Sequence, residues 1–214
     1  MKFNPNDPTE LASNGTARVL FLNWEQGVTQ FQYYSPRVEK RDFKGQGGAS
    51  SLYTKTVFIP NSEMAVTGTN KGEILVWDRS LIVEGIGEQN EKRLMKVVNF
   101  SDVPITILTT AHDKYLVCGF GDGKIKFYDF QFKIMAWFDD LYFHRIKSIS
   151  FSKKKPLPSS TKKNQLHYDE EEVKGKEKEE IFACSDFLVA DESALICSLQ
   201  STLFEAIKAS EKKG

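Results

Sequence analysis

The chain has 214 residues, room for one domain or two at about 100–200 residues each. Lys plus Arg and Asp plus Glu both number 29, so the net charge is zero and bulk positive charge is excluded as a means of holding a polyanion. With 40% hydrophobic and 12% aromatic residues it carries too much apolar material to be disordered throughout. No apolar run reaches the length of about 18 residues that a membrane span needs. The first residues, Met-Lys-Phe-Asn-Pro-Asn-Asp-Pro, lack the apolar stretch of a secretory signal. Cys118, Cys184 and Cys197 are odd in number and have no Cys-x-x-Cys spacing. They are read as free buried thiols of a reducing compartment, with no disulfide framework and no zinc site.

In chain order, residues 11–25 open a unit of two short strands ending at Trp24-Glu25. Lys44-Gly45-Gln46-Gly47-Gly48 reads as a flexible loop before a strand at 54–59. Residues 64–78 then run Met-Ala-Val-Thr-Gly-Thr-Asn-Lys-Gly-Glu-Ile-Leu-Val-Trp-Asp, and residues 115–129 run Tyr-Leu-Val-Cys-Gly-Phe-Gly-Asp-Gly-Lys-Ile-Lys-Phe-Tyr-Asp. The two align without a gap at an offset of 51, setting Gly68 on Gly119, Gly72 on Gly123, Trp77 on Tyr128 and Asp78 on Asp129. At an offset of 53, residues 11–25 fit the same frame, with Trp24 on Trp77 and Val19 in place of the turn glycine. The alternation Lys124, Ile125, Lys126, Phe127 has the period of two that marks a strand. Gly121-Asp122-Gly123 is a hairpin turn, because Asp tolerates turn geometry and Gly supplies positive φ. A strand precedes the units at 54–59, 104–109 and 145–151, and another follows at about 93–100 and 131–138, with Gly85–Asn90 as a loop insertion. Four short antiparallel strands per unit is the pattern of a β-propeller blade.

Residues 153–180 break the pattern, with 15 charged residues in 28. Such a stretch cannot bury enough apolar surface to offset its ordering entropy, so a long disordered loop is expected. Its basic half holds Lys153, Lys154, Lys155, Lys162 and Lys163. A solvated loop is the plain reading; contact with an acidic protein surface, or a nuclear or nucleic-acid patch, are the alternatives. A weaker fourth copy follows at 187–199, and Thr202 with Glu205 has capping-box spacing for a short C-terminal helix over 202–212, a last strand being the alternative.

Thr67–Asp78 and Cys118–Asp129 resemble the signature end of the WD40 repeat, the second with Tyr128 for Trp. The resemblance implies structural, blade-packing roles for Gly68, Gly72, Trp77, Asp78, Gly119, Asp122, Gly123, Tyr128, Asp129 and Trp24. The family's turn Asp falls on Asp122 but on Lys71 in the other copy. Its Gly-His pair is missing, with His144 near that place, and no unit assembles the family's full Asp-His-Ser-Trp tetrad. Phe58–Gly68 and Phe132–Phe138 further resemble the ciliary and flagellar WD-repeat proteins of the calmodulin- and spoke-associated complex, over most of 10–151 and the tail 200–214. That resemblance implies a non-enzymatic axonemal scaffold that helps anchor radial spoke three to doublet microtubules and supports ciliary motility. Its partners would be calmodulin and radial-spoke and microtubule-associated subunits, with no nucleic acid and no membrane. A WD40 adaptor of a ubiquitin-ligase or nuclear complex is the alternative.

The expected fold is therefore all-β, a partial WD40-type β-propeller of about four blades. Residues 1–152 would hold three units, 153–180 the charged loop, and 181–214 a last partial blade. Propellers close with about 4–8 blades, so a fragment of a longer propeller, or a chain completed by a partner, is expected; a closed four-blade ring is the alternative. No catalytic group, cofactor or metal is expected. Gly119–Lys124 joins strand to strand and is followed by Ile125, where a phosphate loop needs Ser or Thr and a helix. His112, His144 and His167 lie far apart, and Asp139 and Asp140, as neighbours, point to opposite sides of a strand. There is no EF-hand loop, so calcium would act only through a partner.

Overall fold

The computed structural model describes residues 1–24, 27, 29–39, 42, 51–79, 91–139, 141–153 and 182–199. Among the described residues, fifteen strands form four separate antiparallel sheets in chain order. The first sheet is β1 (Lys2–Phe3), β2 (Glu10–Asn14), β3 (Val19–Asn23) and β4 (Gln32–Tyr34). The second is β5 (Tyr53–Phe58), β6 (Ala65–Thr69), β7 (Glu73–Arg79) and β8 (Lys92–Asn99). The third is β9 (Ile105–Ala111), β10 (Tyr115–Phe120), β11 (Ile125–Tyr128) and β12 (Ile134–Phe138). The fourth is β13 (Ile146–Phe151), β14 (Phe187–Asp191) and β15 (Ile196–Leu199). Each strand hydrogen-bonds to its neighbours in sequence, which is the up-and-down order of a propeller blade. β13 pairs with β14 across the interval 154–181, so blade 4 draws on both sides of it.

The blades stack because the facing sides of adjacent sheets are apolar. Three buried clusters form, one at each seam. Between blades 1 and 2, Phe21 sits edge-on to both Phe58 and Trp77. Between blades 2 and 3, Ile74 and Val76 meet Leu116, Cys118 and Tyr128. Between blades 3 and 4, Phe127 packs against Phe138, Phe151, Phe182 and Phe187. Odd and even positions of one strand thus serve different seams: Leu75 and Trp77 face blade 1, Ile74 and Val76 face blade 3. A central strand buried on both sides needs a continuous apolar run, and Ile74-Leu75-Val76-Trp77 is one.

The chain start clamps the first seam. Asn6 donates through Nδ2 to the carbonyls of Ile59 and Ser62 and accepts from Asn61 N through Oδ1. Beside it lies a buried ion pair, with Lys92 Nζ 3.2 Å from Glu10 Oε1 and 2.9 Å from the Glu63 carbonyl. Asn4 Nδ2 donates to the other Glu10 oxygen at 2.6 Å, and Arg79 Nη2 lies 3.8 Å from it. Buried charge survives only when paired and hydrogen-bonded in this way.

Candidate functional site: blade signatures and seams

Trp77 is 1% exposed and its indole Nε1 donates to Thr67 Oγ1 at 2.8 Å. The Thr67 hydroxyl in turn shares a 2.8 Å hydrogen bond with Thr56. The indole is therefore tied across three strands, β7 to β6 to β5. The counterpart Tyr128 is buried and stacks on Phe100 with ring centroids 3.9 Å apart. Burial pushes its phenol well above the usual range.

The signature glycines share one purpose. A Cβ on Gly68 would lie 2.9 Å from Ile105 Cγ2, and one on Gly119 would lie 2.8 Å from Ile146 Cγ2. Each bare Cα is the seat of the first residue of the next blade. Gly72 and Gly123 adopt φ of 80° and 85°. A Cβ there would come 2.0 Å from the Ser101 carbonyl oxygen and 1.9 Å from that of Phe143. The linker to the following blade rides directly on the turn, held by Phe100 N donating to Gly72 O at 3.0 Å.

The aspartates do local work. Asp129 accepts from the backbone N–H of Gln131 and Lys133, and Asp78 from that of Arg79. Asp122 pairs with Lys124 Nζ at 2.9 Å within its own turn. An Asp-His contact forms in blade 4, at the position that Phe120 holds in blade 3. Asp191, 4% exposed, accepts from the backbone N–H of His144, Ser193 and Leu195 and from Ser193 Oγ. Its Oδ2 lies 3.6 Å from His144 Nδ1. Burial alone would raise its pKa; the hydrogen bonds outweigh that and hold it down to about 2. Sequence reasoning missed Asp191, Thr67 and Thr56. The Asp-x-Ser turn at 191–193, with His144 just before β13, was the available signal.

One expectation is corrected. Trp24 is 46% exposed and outside every core cluster. Asn14 pairs with Val19 across four intervening residues, whereas Gly68 pairs with Ile74 across five. Blade 1 thus has a shorter hairpin, and Leu22, paired with Leu11 as Trp77 is with Ala65, holds the position assigned to Trp24.

The signature residues are not gathered at one place; they recur in blades 2 and 3, at the seams and turns. Lys153 is exposed at the end of the described part of β13's flank, while Lys154, Lys155, Lys162 and Lys163 lie outside the described residues. So do Glu25, the Gly45–Gly48 run, the 85–90 insertion, Asp140, His167 and the expected helix at 202–212. Among the described residues no three His, Cys, Asp or Glu side chains gather as metal ligands, and no helix is long and apolar enough to cross a membrane. Cys118 and Cys184 are buried and their thiols are pushed up by burial, Cys184 to about 12.

Comparison with known proteins agrees with this architecture. The solved β-propeller domain of Cps50 (Swd1) from Myceliophteria thermophila is similar over 92% of the chain and 58% of its own length, with a TM-score of 0.56 and 14% identity, a likeness of fold alone. Cilia- and flagella-associated protein 251 of Tetrahymena thermophila is 39% identical over all of the chain and 22% of its own length. The protein of that name from Chlamydomonas reinhardtii is 36% identical over all of the chain and 24% of its own length. The chain thus spans less than a quarter of these curated relatives. Residues 1–204 match the family described as the CFAP251 N-terminal domain, and the chain belongs to that family.

Proposed function

We propose that this chain is a non-enzymatic scaffold of the ciliary and flagellar axoneme, where it helps anchor radial spoke three to doublet microtubules within the calmodulin- and spoke-associated complex. The observation that carries the reading is the family match over 1–204, on a fold made of stacked blades. Two relatives named for cilia and flagella align with the whole chain, which supports a place in that organelle. Rigid seams locked by apolar packing hold many loops in fixed relation, and this suits display of surfaces to other proteins. The proposed partners are calmodulin and radial-spoke and microtubule-associated subunits. Lys153, Lys154, Lys155, Lys162 and Lys163 are the proposed contact to an acidic surface among them.

Proximity labelling from the chain fused to a biotin ligase in a ciliated cell tests the reading. Enrichment of radial-spoke subunits and calmodulin is expected. A label set without axonemal neighbours overturns it and favours an adaptor elsewhere in the cell.

A further inference from the structure

The seam between blades 2 and 3 is open at its outer rim, where the seam between blades 1 and 2 is closed. The registers set the two mouths in correspondence. On β8, Leu94 pairs with Trp77 and Val97 with Leu75; on β12, Ile134 pairs with Tyr128 and Trp137 with Lys126. Each outer strand skips one residue, Met95 or Met135, and this bulge puts two residues three apart on one face. Leu94 and Val97 thus face blade 1, and Ile134 and Trp137 face blade 2. At the first mouth, Leu94 and Val97 are half-buried against the seam cluster, beside Tyr34, whose ring stacks on Phe21. At the second, Lys96 stands in the place of Tyr34, because Tyr34 pairs with Phe21 as Lys96 does with its counterpart Val76. Ile134 and Trp137 are left 42% and 52% exposed, outside every core cluster. Both walls belong to blades with a neighbour on either side, so the opening does not depend on what lies beyond the chain.

The mouth is apolar and basic. Lys96 Nζ lies 4.8 Å from the centroid of the Phe132 ring, and Val98 completes the wall of blade 2. Lys126 Nζ donates to Phe100 O at 3.2 Å and lies 5.1 Å from the centroid of the Phe120 ring. An ammonium has three donors, so one such bond leaves capacity for an anion. Neither β8 nor β12 carries an Asp or Glu. The flanking acids are turned to other work: Asp129 accepts from the N–H of Gln131 and Lys133, Asp139 acts on Lys124, and Glu91 acts on Tyr34 at the first mouth. Among the described residues β12 pairs only with β11, so its outer edge offers free backbone N–H and C=O groups.

We infer that this mouth is a docking groove for an extended acidic segment of another protein. The segment lays an aliphatic or aromatic side chain between Ile134 and Trp137, sets carboxylates against Lys96 and Lys126, and runs along the free edge of β12. Charge complementarity selects this occupant, since two lysines stand at the mouth with no acid on either strand to answer them. A half-exposed Trp is the residue type that most often carries binding energy at an interface. Strand addition supplies main-chain hydrogen bonds, and the pockets for alternate side chains supply specificity. The groove adds a partner surface to the scaffold and is separate from Lys153–Lys163.

Panning a random-peptide library on the full-length protein tests the groove independently of where the protein resides in a cell. Enriched peptides are expected to set Asp or Glu beside Leu, Ile, Phe or Trp. Trp137→Ala and Lys96→Glu alter exposed side chains, and each is expected to weaken those peptides at least about tenfold with an unchanged far-UV circular dichroism spectrum. Tyr142→Ala, at a 93% exposed site in the linker to blade 4, is expected to leave their binding unchanged. No enrichment, enriched peptides without acids, or equal binding to Trp137→Ala would each overturn the groove. Self-association that Trp137→Ala abolishes, read by sedimentation equilibrium, would give the mouth to a second copy and overturn it as well.

Discussion

Replacing Gly72 by Ala separates two demands that a turn glycine can meet. The first is backbone conformation: at φ 80° an L-residue with a Cβ loses about 1–2 kcal/mol. The second is the linker, since the new Cβ would lie 2.0 Å from the Ser101 carbonyl oxygen. Ser101 must then move and the 3.0 Å bond from Phe100 N to Gly72 O is lost, a further cost of about 0.5–1.5 kcal/mol. The whole is about 1.5–3.5 kcal/mol. Gly27 isolates the first demand, because its φ is 90° and nothing lies within 4 Å of its built Cβ. Gly27→Ala should therefore cost only the conformational part. Ala194→Gly, at the corresponding position of the blade 4 turn with φ 62°, should stabilise by about 1 kcal/mol by relieving the conformational part. Urea unfolding of the three variants, read as midpoint shifts at constant m, gives the comparison. If Gly72→Ala costs no more than Gly27→Ala, the linker does not ride on the turn and the seam geometry is wrong.

Three further outcomes follow from the seams. Trp77→Ala should lose about 3–5 kcal/mol in urea unfolding, and Trp77→Phe, which removes the bond to Thr67 but keeps the ring, about 1 kcal/mol; a neutral Trp77→Ala would refute the blade frame. Lys92→Met should cost about 3–5 kcal/mol by stranding buried Glu10, and adding Glu10→Gln should recover part of that; strictly additive losses would mean the pair is not coupled. His112 Nε2 accepts from Ser185 N at 3.1 Å, and burial lowers the ring's pKa below 6.5. The folded state thus binds fewer protons than the unfolded one, so stability is full above pH 6.5 and falls as pH drops below it. His112→Asn should flatten that slope, and a wild-type midpoint that does not fall there would contradict the contact.

Blades 2 and 3 are legible in the sequence because their hairpins have equal length, so one offset aligns Gly68 with Gly119 and Trp77 with Tyr128. The same logic misplaced Trp24, because a hairpin shortened at residues 15–18 shifts β3 against β2 while leaving the apolar pattern intact. Leu22 carries no signature to mark it. The role of Gly72 as a turn residue is visible locally, but its second role is not, since Ser101 reaches it only once the blades stack. Asp191 and His144 are 47 residues apart, with the charged segment between them, and only the pairing of β13 with β14 brings them together. Lys92 reads from sequence as an ordinary strand-end charge. Its burial depends on Glu10 of the neighbouring blade, a contact with no local signal.

The proposed place of the chain, at the base of radial spoke three, is tested most directly by locating it in the axoneme. Subtomogram averaging of axonemes carrying the chain with a density tag should show one added density beside the base of that spoke in each repeat. Tag density at another spoke, or axonemes without any, would contradict the account.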